Sequence, residues 1–210
     1  MKNSLKNIYL KSLRKIYLNN NKKVTSNKDC SIISINCIGG VVSHEFNLRF
    51  NSPTVNLWFG TKDYLKFLNN MQHYLYDCDL VQDEMLSNQY GYPVGILGDI
   101  KIFFQHYTTF DEAKYKWNER TKRVKWDNLY VIMVQGEDCT EQDIVEFDSL
   151  YFKHKVCFTA KEYPKYNCCY YISNSQKNDN SVRNLCDNRS KLTGKFWLDE
   201  FDWASFLNNI

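Results

Sequence analysis

The sequence lacks any apolar segment that approaches the ~18 residues needed to cross a bilayer. It also lacks the apolar core of a secretory signal peptide, because lysines recur at Lys2, Lys6, Lys11 and Lys15. Neither a membrane-spanning protein nor a secreted one is therefore indicated. We expect a cytoplasmic protein.

The spacing that marks most tetrahedral zinc sites is also missing. None of the eight cysteines forms a C-x-x-C pair. Cys168 and Cys169 are adjacent, and a disulfide at that spacing is strained. Thiols of an intracellular protein more often pack as small apolar side chains. The cysteines thus predict no zinc site; the sequence assigns no metal ligands among them and identifies no cofactor.

Acidic residues are absent from the first 28 positions, which contain seven lysines and Arg14. The net charge of the whole chain is only +3, so the remainder is net negative. Because the basic residues are confined to one end, the sequence does not predict a core that binds nucleic acid. It leaves the oligomeric state open.

Residues 4–18 have the apolar spacing of an amphipathic helix. The apolar face is predicted to hold Leu5, Ile8, Tyr9, Leu13, Ile16 and Tyr17. Such a helix either docks on its own fold, which we favour, or lies on the inner membrane surface as a peripheral contact. We assign residues 1–28 to this helix and a polar linker, and residues 29–210 to an α/β domain.

Short apolar runs alternate with helical patterns along the rest of the chain. Strands are predicted at 31–36, 55–59, 94–97, 100–107, 129–134, 155–160 and 169–173, and helices at 61–76, 109–125, 140–150 and 198–207. A polar loop is predicted at about 174–195. This alternation predicts a single compact α/β domain with a mixed or largely parallel sheet flanked by helices.

Two polar residues follow predicted strands between Tyr92 and Tyr107. Asp99 comes directly after Gly98 in a tight turn, and His106 alternates with the apolar residues of its strand. Asp99, like Asp127, is a candidate base or metal ligand, and His106 is a candidate catalytic group. The alternative for His106 is a histidine with a purely structural role.

The next helix begins at a Thr109–Glu112 capping box and ends in a cluster of polar and aromatic residues. Arginine can hold phosphate, and tryptophan can stack on a sugar or a base. Charges on a solvated helix and tryptophans in a core are the structural alternative. The candidate ligand-binding residues are Arg120, Arg123, Trp126 and Asn128, with Asp127 as a second candidate base.

A third candidate is NCIGG, residues 36–40, where a strand leads through a glycine pair into a helix. This arrangement can present backbone N–H groups to an anion. The candidate ligand-binding residues are Asn36, Cys37, Gly39 and Gly40. Cys37 is either a nucleophile assisted by His106 or, more commonly, a structural cysteine. We expect Asn36 and Asp99 to share one edge of the sheet, within ~17 Å of each other.

Several segments together resemble a known bacterial family. They are IISINCIGG (32–40), SPT (52–54), YPVGILGDIKIFFQHY (92–107), EAKYKWNER (112–120), RVKWDN (123–128) and KVCF (155–158). They are similar to the domain of unknown function 1919, whose members are often labelled exopolysaccharide biosynthesis proteins. The matching segments span most of residues 30–160.

The resemblance implies a role in the assembly of surface polysaccharides. The simplest activity would be a glycosyl- or related group-transferase acting on a nucleotide-activated or lipid-linked sugar. The alternative is a non-catalytic accessory protein that binds a carbohydrate or a protein partner. In either case we expect a sugar or nucleotide-sugar ligand.

The helix that follows Thr109 provides a test that separates packing from function. We expect Trp117→Ala to cost roughly 3–5 kcal/mol of unfolding free energy, because its helical face should lie against the sheet. Arg123→Ala and Asp127→Ala should each cost only about 0–1 kcal/mol but weaken function. Urea denaturation and a ligand-binding assay measure the two effects. Unchanged binding in both charge variants would show that the helix end carries no site.

Overall fold

A computed structural model describes residues 2–178, 180–187 and 192–209, with side chains described from Ile8 onward. Residues 179 and 188–191 of the predicted polar loop lie outside this part. The strands are β1 Ser31–Ser34, β2 Leu80–Gln82, β3 Val94–Leu97, β4 Ile100–Phe103, β5 Leu129–Val134, β6 His154–Thr159, β7 Cys169–Tyr171, β8 Gln176–Asn178 and β9 Ser181–Val182. The α-helices are α1 Lys2–Val24, α2 Ile38–Glu45, α3 Thr61–Asn69, α4 Met71–Tyr76, α5 Glu84–Tyr90, α6 Phe110–Thr121, α7 Glu141–Ser149 and α8 Trp203–Asn208, and a 3₁₀ turn covers Trp197–Glu200.

The main sheet has four parallel strands in the order β1-β5-β6-β7. Every side chain of β5 from Tyr130 to Val134 is buried, as is usual for a parallel strand covered on both faces. Among the helices around it, α2 packs against β1 and α3 packs against α7. The predicted α/β class, with a parallel sheet flanked by helices, is confirmed.

A smaller antiparallel sheet in the order β2-β3-β4 forms a separate layer, on which α3 also packs. The turn between β3 and β4 requires a positive φ, and Gly98 supplies it with φ of 61°. Strands β8 and β9 form a short hairpin inside the predicted polar loop. The polar composition of this segment predicted a loop. Strands of two and three residues are too short to show the alternation of apolar and polar residues that predicts a strand.

Several predicted elements are wrong. The helix predicted at 198–207 is a 3₁₀ turn at Trp197–Glu200 followed by the separate helix α8, because Phe201 between them is extended at φ −76° and ψ 136°. Residues 55–59 do not form a strand; Trp58 makes only an isolated antiparallel bridge to Phe103. The helix predicted at 61–76 is two helices, because Asn70 leaves the helical conformation at φ −143° and ψ 49°. The predicted linker begins too early, since α1 continues to Val24. Helix α5 was not predicted, and none of its residues is buried, so no apolar face marked it.

Helix α1 is docked on the domain, but by a face that overlaps the predicted one only in part. Leu10 and Arg14 are buried, and the Tyr17 hydroxyl donates to the Asp199 carbonyl oxygen. Ile8 and Ile16, placed on the core side by apolar spacing, are exposed. The spacing of the apolar residues did not predict the docked face correctly, because the residue that anchors this helix is an arginine.

Arg14 joins α1 to two other parts of the chain. Its guanidinium donates to both carboxylate oxygens of Glu45 and to both of Asp199. It also lies 3.6 Å from the centre of the Phe196 ring. The charge of the arginine is thus paired within the cluster, as a buried arginine requires. Among the described helices, none is long and apolar enough to span a bilayer.

Removing the Arg14 guanidinium should destabilise the fold. Arg14→Met would leave the Glu45 and Asp199 side chains, which are 12% and 3% exposed, without their shared cation. We expect a loss of roughly 3–5 kcal/mol in urea denaturation, since breaking one partner of a buried pair strands the other. Lys15→Met, at the exposed neighbouring position, should change stability by no more than about 0.5 kcal/mol. Equal losses in the two variants would contradict this role for Arg14.

Candidate functional site

A cleft of about 410 Å³ opens at the carboxyl ends of β1 and β5. Open α/β sheets bind their ligands at this edge. We call it the carboxyl-edge cleft. Its lining residues are Ile35–Ile38, Leu57–Phe59, Thr61, Gln105, His106, Val134–Gly136, Asp138 and Val182–Leu185.

The N-terminus of α2 forms one wall of this cleft. Asn36 accepts a hydrogen bond from the Ile38 N–H at 3.1 Å, and Cys37 occupies the N-cap position. The N–H groups of Gly39 and Gly40 have no acceptor within the helix, and the positive end of the helix dipole is directed towards the cleft. The sequence identified this wall correctly as a strand–glycine–helix junction.

The glycine pair in this junction has a packing role. A Cβ at Gly39 would lie 2.8 Å from the Cβ of Ser34, and one at Gly40 would lie 3.1 Å from Cγ1 of Val55. Glycine therefore lets α2 approach β1 and the segment beside it closely. Neither glycine lines the cleft, although both belong to the helix turn that faces it.

Further lining comes from the end of the β8–β9 hairpin, where Val182 is followed by Arg183 and Asn184. The Val182 N–H donates to the Gln135 carbonyl oxygen at 2.9 Å, which fastens the hairpin to the end of β5. The Arg183 guanidinium donates to the Gln176 carbonyl oxygen and lies 5.3 Å from the Trp197 ring centre. Sequence reasoning missed this cation, because it lies in a stretch whose composition indicated only a polar loop.

Two further polar residues of the cleft are held by internal bonds. The Asp138 carboxylate accepts from the N–H and hydroxyl of Thr61 at 2.7 and 2.9 Å, which fixes the start of α3. Gln135 is buried, accepting from the Ala160 N–H and donating to the Tyr163 hydroxyl. Both residues shape the cleft, and the Asp138 carboxylate is already occupied.

His106 lies at the cleft beside Gln105, and both side chains are exposed. Neither makes a hydrogen bond to another described residue. His106 therefore does not lie among the buried residues of its strand, because β4 ends at Phe103 and the chain turns before reaching it. Of the three candidate catalytic residues, it is the one in this cleft.

Cys37 shares the cleft with His106, but no hydrogen bond joins them in the described structure. Burial raises the pKa of the Cys37 thiol, which disfavours the nucleophilic thiolate. Burial also raises the pKa of the nearby Cys186 to about 12. The arrangement lacks the activated Cys–His pair that a thiol enzyme needs.

Asp99 lies away from this cleft, in the β3–β4 turn of the antiparallel sheet. Its carboxylate accepts from the Lys66 ammonium and from the Tyr74 hydroxyl at 2.8 and 2.6 Å. These bonds lower the pKa of Asp99 and keep it ionised. Asp99 and Asn36 were expected at one edge of one sheet, but the structure places them in different sheets and not in a common site.

The two candidate arginines of α6 and the turn after it also lie outside the cleft. Arg120 is buried and donates to the Tyr107 hydroxyl and the Val55 carbonyl oxygen. Arg123 donates through Nε to the Glu119 carbonyl oxygen at the end of its helix. Arg120 thus bonds polar groups inside the core, and Arg123 caps the carboxyl end of α6.

Trp126, Asp127 and Asn128 line a second cleft of about 520 Å³ at the starts of β5 and β6. We call it the amino-edge cleft. Trp126 donates through its indole N–H to the Tyr76 hydroxyl at 3.1 Å. The Asn128 amide donates to the side-chain oxygen of Asn27 and to the Asp29 carbonyl oxygen. Asp127 is exposed, without a hydrogen bond to another described residue. The predicted site residues are therefore divided between opposite edges of the sheet, about one strand length apart.

The described residues contain no group of three or more His, Cys, Asp or Glu side chains placed to hold a metal ion. His154, at the amino-edge cleft, stacks on Tyr130 with ring centres 4.8 Å apart. Burial lowers its pKa and favours the neutral imidazole. Its role there is packing against the first residues of β5.

Two comparisons place the chain among known proteins. A model of the family described as "Domain of unknown function (DUF1919)" matches residues 8–208. A protein of Haemophilus influenzae described as uncharacterised is 40% identical over 185 residues, which is 88% of this chain and 86% of that protein. The match extends beyond the segments that carry the resemblance in the sequence, and it includes most of α1 and the β8–β9 hairpin.

The state of the Cys37 thiol is testable by alkylation. Since a raised pKa means less thiolate at neutral pH, iodoacetamide should label Cys37 at pH 7 more slowly than a free cysteine peptide. Labelling should accelerate only as the pH passes above the usual thiol range, and His106→Ala should leave the rate unchanged. Peptide mass spectrometry separates Cys37 from the other cysteines. Fast labelling at pH 7 that His106→Ala abolishes would show an activated pair instead.

Proposed function

The chain belongs to the family of domain of unknown function 1919, and from that premise we propose that it takes part in surface-polysaccharide assembly as a glycosyl- or related group-transferase. Its substrate would be a nucleotide-activated or lipid-linked sugar bound in the carboxyl-edge cleft. The pathway rests on the label that members of this family often carry. The substrate class rests on the geometry of the cleft.

The observation that carries the proposal is that the α2 N-terminus and Arg183 line the same cleft. Helix N-termini and guanidinium groups are two recurrent ways in which proteins hold phosphate. A phosphate in this cleft would lie near the positive end of the α2 dipole and near a guanidinium group. A phosphate-linked sugar fits this pairing of donors better than a neutral sugar does.

The rest of the cleft offers groups that suit the sugar. The Trp58 ring stacks on Phe103 with ring centres 3.8 Å apart and an angle of 6°, and its N–H donates to the Tyr92 hydroxyl. It is therefore a fixed aromatic surface, against which the C–H face of a sugar can pack. The exposed Gln105 amide supplies both a donor and an acceptor for hydroxyl groups.

His106 is the group we assign to proton transfer. It would take the proton from an acceptor hydroxyl as that oxygen bonds to the anomeric carbon. The bond from that carbon to the phosphate oxygen breaks, and the departing phosphate keeps the electron pair. Its negative charge would be held by the α2 N-terminus and Arg183.

A second candidate function is non-catalytic carbohydrate binding at the amino-edge cleft. The observation that favours it is the presence there of Trp126 beside Asp127, Gln72 and Asn70. An aromatic ring with neighbouring amides and a carboxylate suits a neutral sugar. Neither Asp99 nor Asp127 lies in the carboxyl-edge cleft, so that cleft has no free candidate carboxylate base among the residues described.

Matched variants at the two clefts distinguish these functions. We expect nucleotide sugars to raise the melting temperature of the wild-type protein. Gln105→Ala should weaken their binding about fivefold, as expected for one lost hydrogen bond. His106→Ala should leave binding nearly unchanged and lower transfer by roughly 10²–10⁴-fold. Calorimetric titration and a donor-turnover assay measure the two effects.

Gln72→Ala and Trp126→Ala, in the amino-edge cleft, are the controls and should change neither quantity. Stabilisation by free sugars alone, lost in Trp126→Ala and kept in Gln105→Ala, would replace the transferase with the accessory function. Binding of nucleotide sugars without any turnover, in the wild type and His106→Ala alike, would remove the catalytic assignment of His106.

A further inference from the structure

The outward face of α1 exposes apolar side chains although its inward face is anchored. Ile8, Tyr9 and Ile16 are 57%, 60% and 61% exposed. Their positions at i, i+1 and i+8 place them along one side of the helix. Arg14 on the opposite side is bound to Glu45 and Asp199, so the orientation of the helix is fixed. The apolar stripe is therefore held on the surface and does not turn inward.

Positive charge surrounds this stripe. Lys11, Lys15, Lys22 and Lys23 lie on the same helix, and none of them forms an ion pair with a described residue. The sequence has no acidic residue before Asp29, so nothing on α1 offsets these charges. Elsewhere on the chain, exposed lysines such as Lys62, Lys66 and Lys122 pair with carboxylates.

A groove of about 490 Å³ runs beside α1, between the helix and the segment around Phe196. Its floor is apolar, with Leu10, Leu18 and Phe196, and its rim carries Lys11, Lys15 and Lys22. An apolar floor with a cationic rim complements a molecule that has a hydrocarbon chain and an anionic head. The groove shares Lys11, Lys15 and Lys22 with the surroundings of the stripe and indicates the same ligand chemistry.

We propose that α1 binds the surface of an anionic lipid bilayer, with Ile8, Tyr9 and Ile16 inserted among the headgroups and the lysines paired with lipid phosphates. A helix of 23 residues is about 35 Å long, so it can lie along the surface while the domain remains outside. Nucleic acid or an acidic protein would satisfy the lysines, but would leave three large apolar side chains in water. This assignment is independent of the proposed enzymatic function.

The test uses the full-length chain and sedimentation with vesicles. We expect binding to vesicles of equal parts phosphatidylglycerol and phosphatidylcholine, no binding to phosphatidylcholine alone, and weaker binding as salt is raised. Lys11→Ser with Lys15→Ser should weaken binding on the order of twentyfold, from roughly fivefold per lysine. Ile8→Ser with Ile16→Ser should weaken it roughly tenfold or more.

A matched control is Lys153→Ser with Lys165→Ser, which removes the same charge from exposed positions outside α1. It should keep vesicle binding close to the wild type, and all three double variants should keep the wild-type melting temperature. Absence of binding to anionic vesicles at low salt overturns the proposal. Equal weakening of vesicle binding by the control pair also overturns it. So does binding of the isoleucine variant to a DNA duplex or to polyglutamate when the wild-type protein does not bind vesicles.

Discussion

The burial of β5 on both faces is the constraint on which the rest of the structure depends. Its side chains from Tyr130 to Val134 are inaccessible, so helices must cover both sides of the sheet. Tyr64 shows how tight this cover is, because its hydroxyl, inside the core, donates to the carbonyl oxygens of Ile33 in β1 and Ile132 in β5. With both faces of β5 covered, the clefts lie at the two ends of this strand.

Helix α3 connects the two clefts. It begins at Thr61, which Asp138 holds at the carboxyl-edge cleft, and its last turn contributes Leu68 and Asn69 to the amino-edge cleft. Both clefts are therefore lined in part by α3, but their other lining residues differ in chemistry. The carboxyl edge combines a helix N-terminus with an arginine, whereas the amino edge combines an indole with amides and a carboxylate. This division is the physical basis for assigning phosphate to the first and neutral sugar to the second.

The two faces of α1 show a similar division. Its inner face uses Arg14 and Tyr17 to bind polar groups far along the chain, whereas its outer face exposes apolar side chains among unpaired lysines. A helix held only by core packing would have buried its apolar side chains instead. The ion pairs of Arg14 therefore leave the apolar stripe free for another surface.

The sequence by itself determined the class of fold and much of its local structure. A short apolar run predicted β5, a helical pattern at 140–150 predicted α7, and the capping box at Thr109 predicted the start of α6. These signals act over a few neighbouring residues, so one sequence contains them. The junction at Asn36 and Cys37, and His106, were also identified from local patterns. Only the tertiary structure showed that Asn36, Cys37 and His106 line one cleft with Arg183. It also placed Asp127 in the other cleft and Arg120 in the core. Those outcomes depend on bonds such as Thr61–Asp138 and Val182–Gln135, which join residues 77 and 47 positions apart and leave no local trace in the chain.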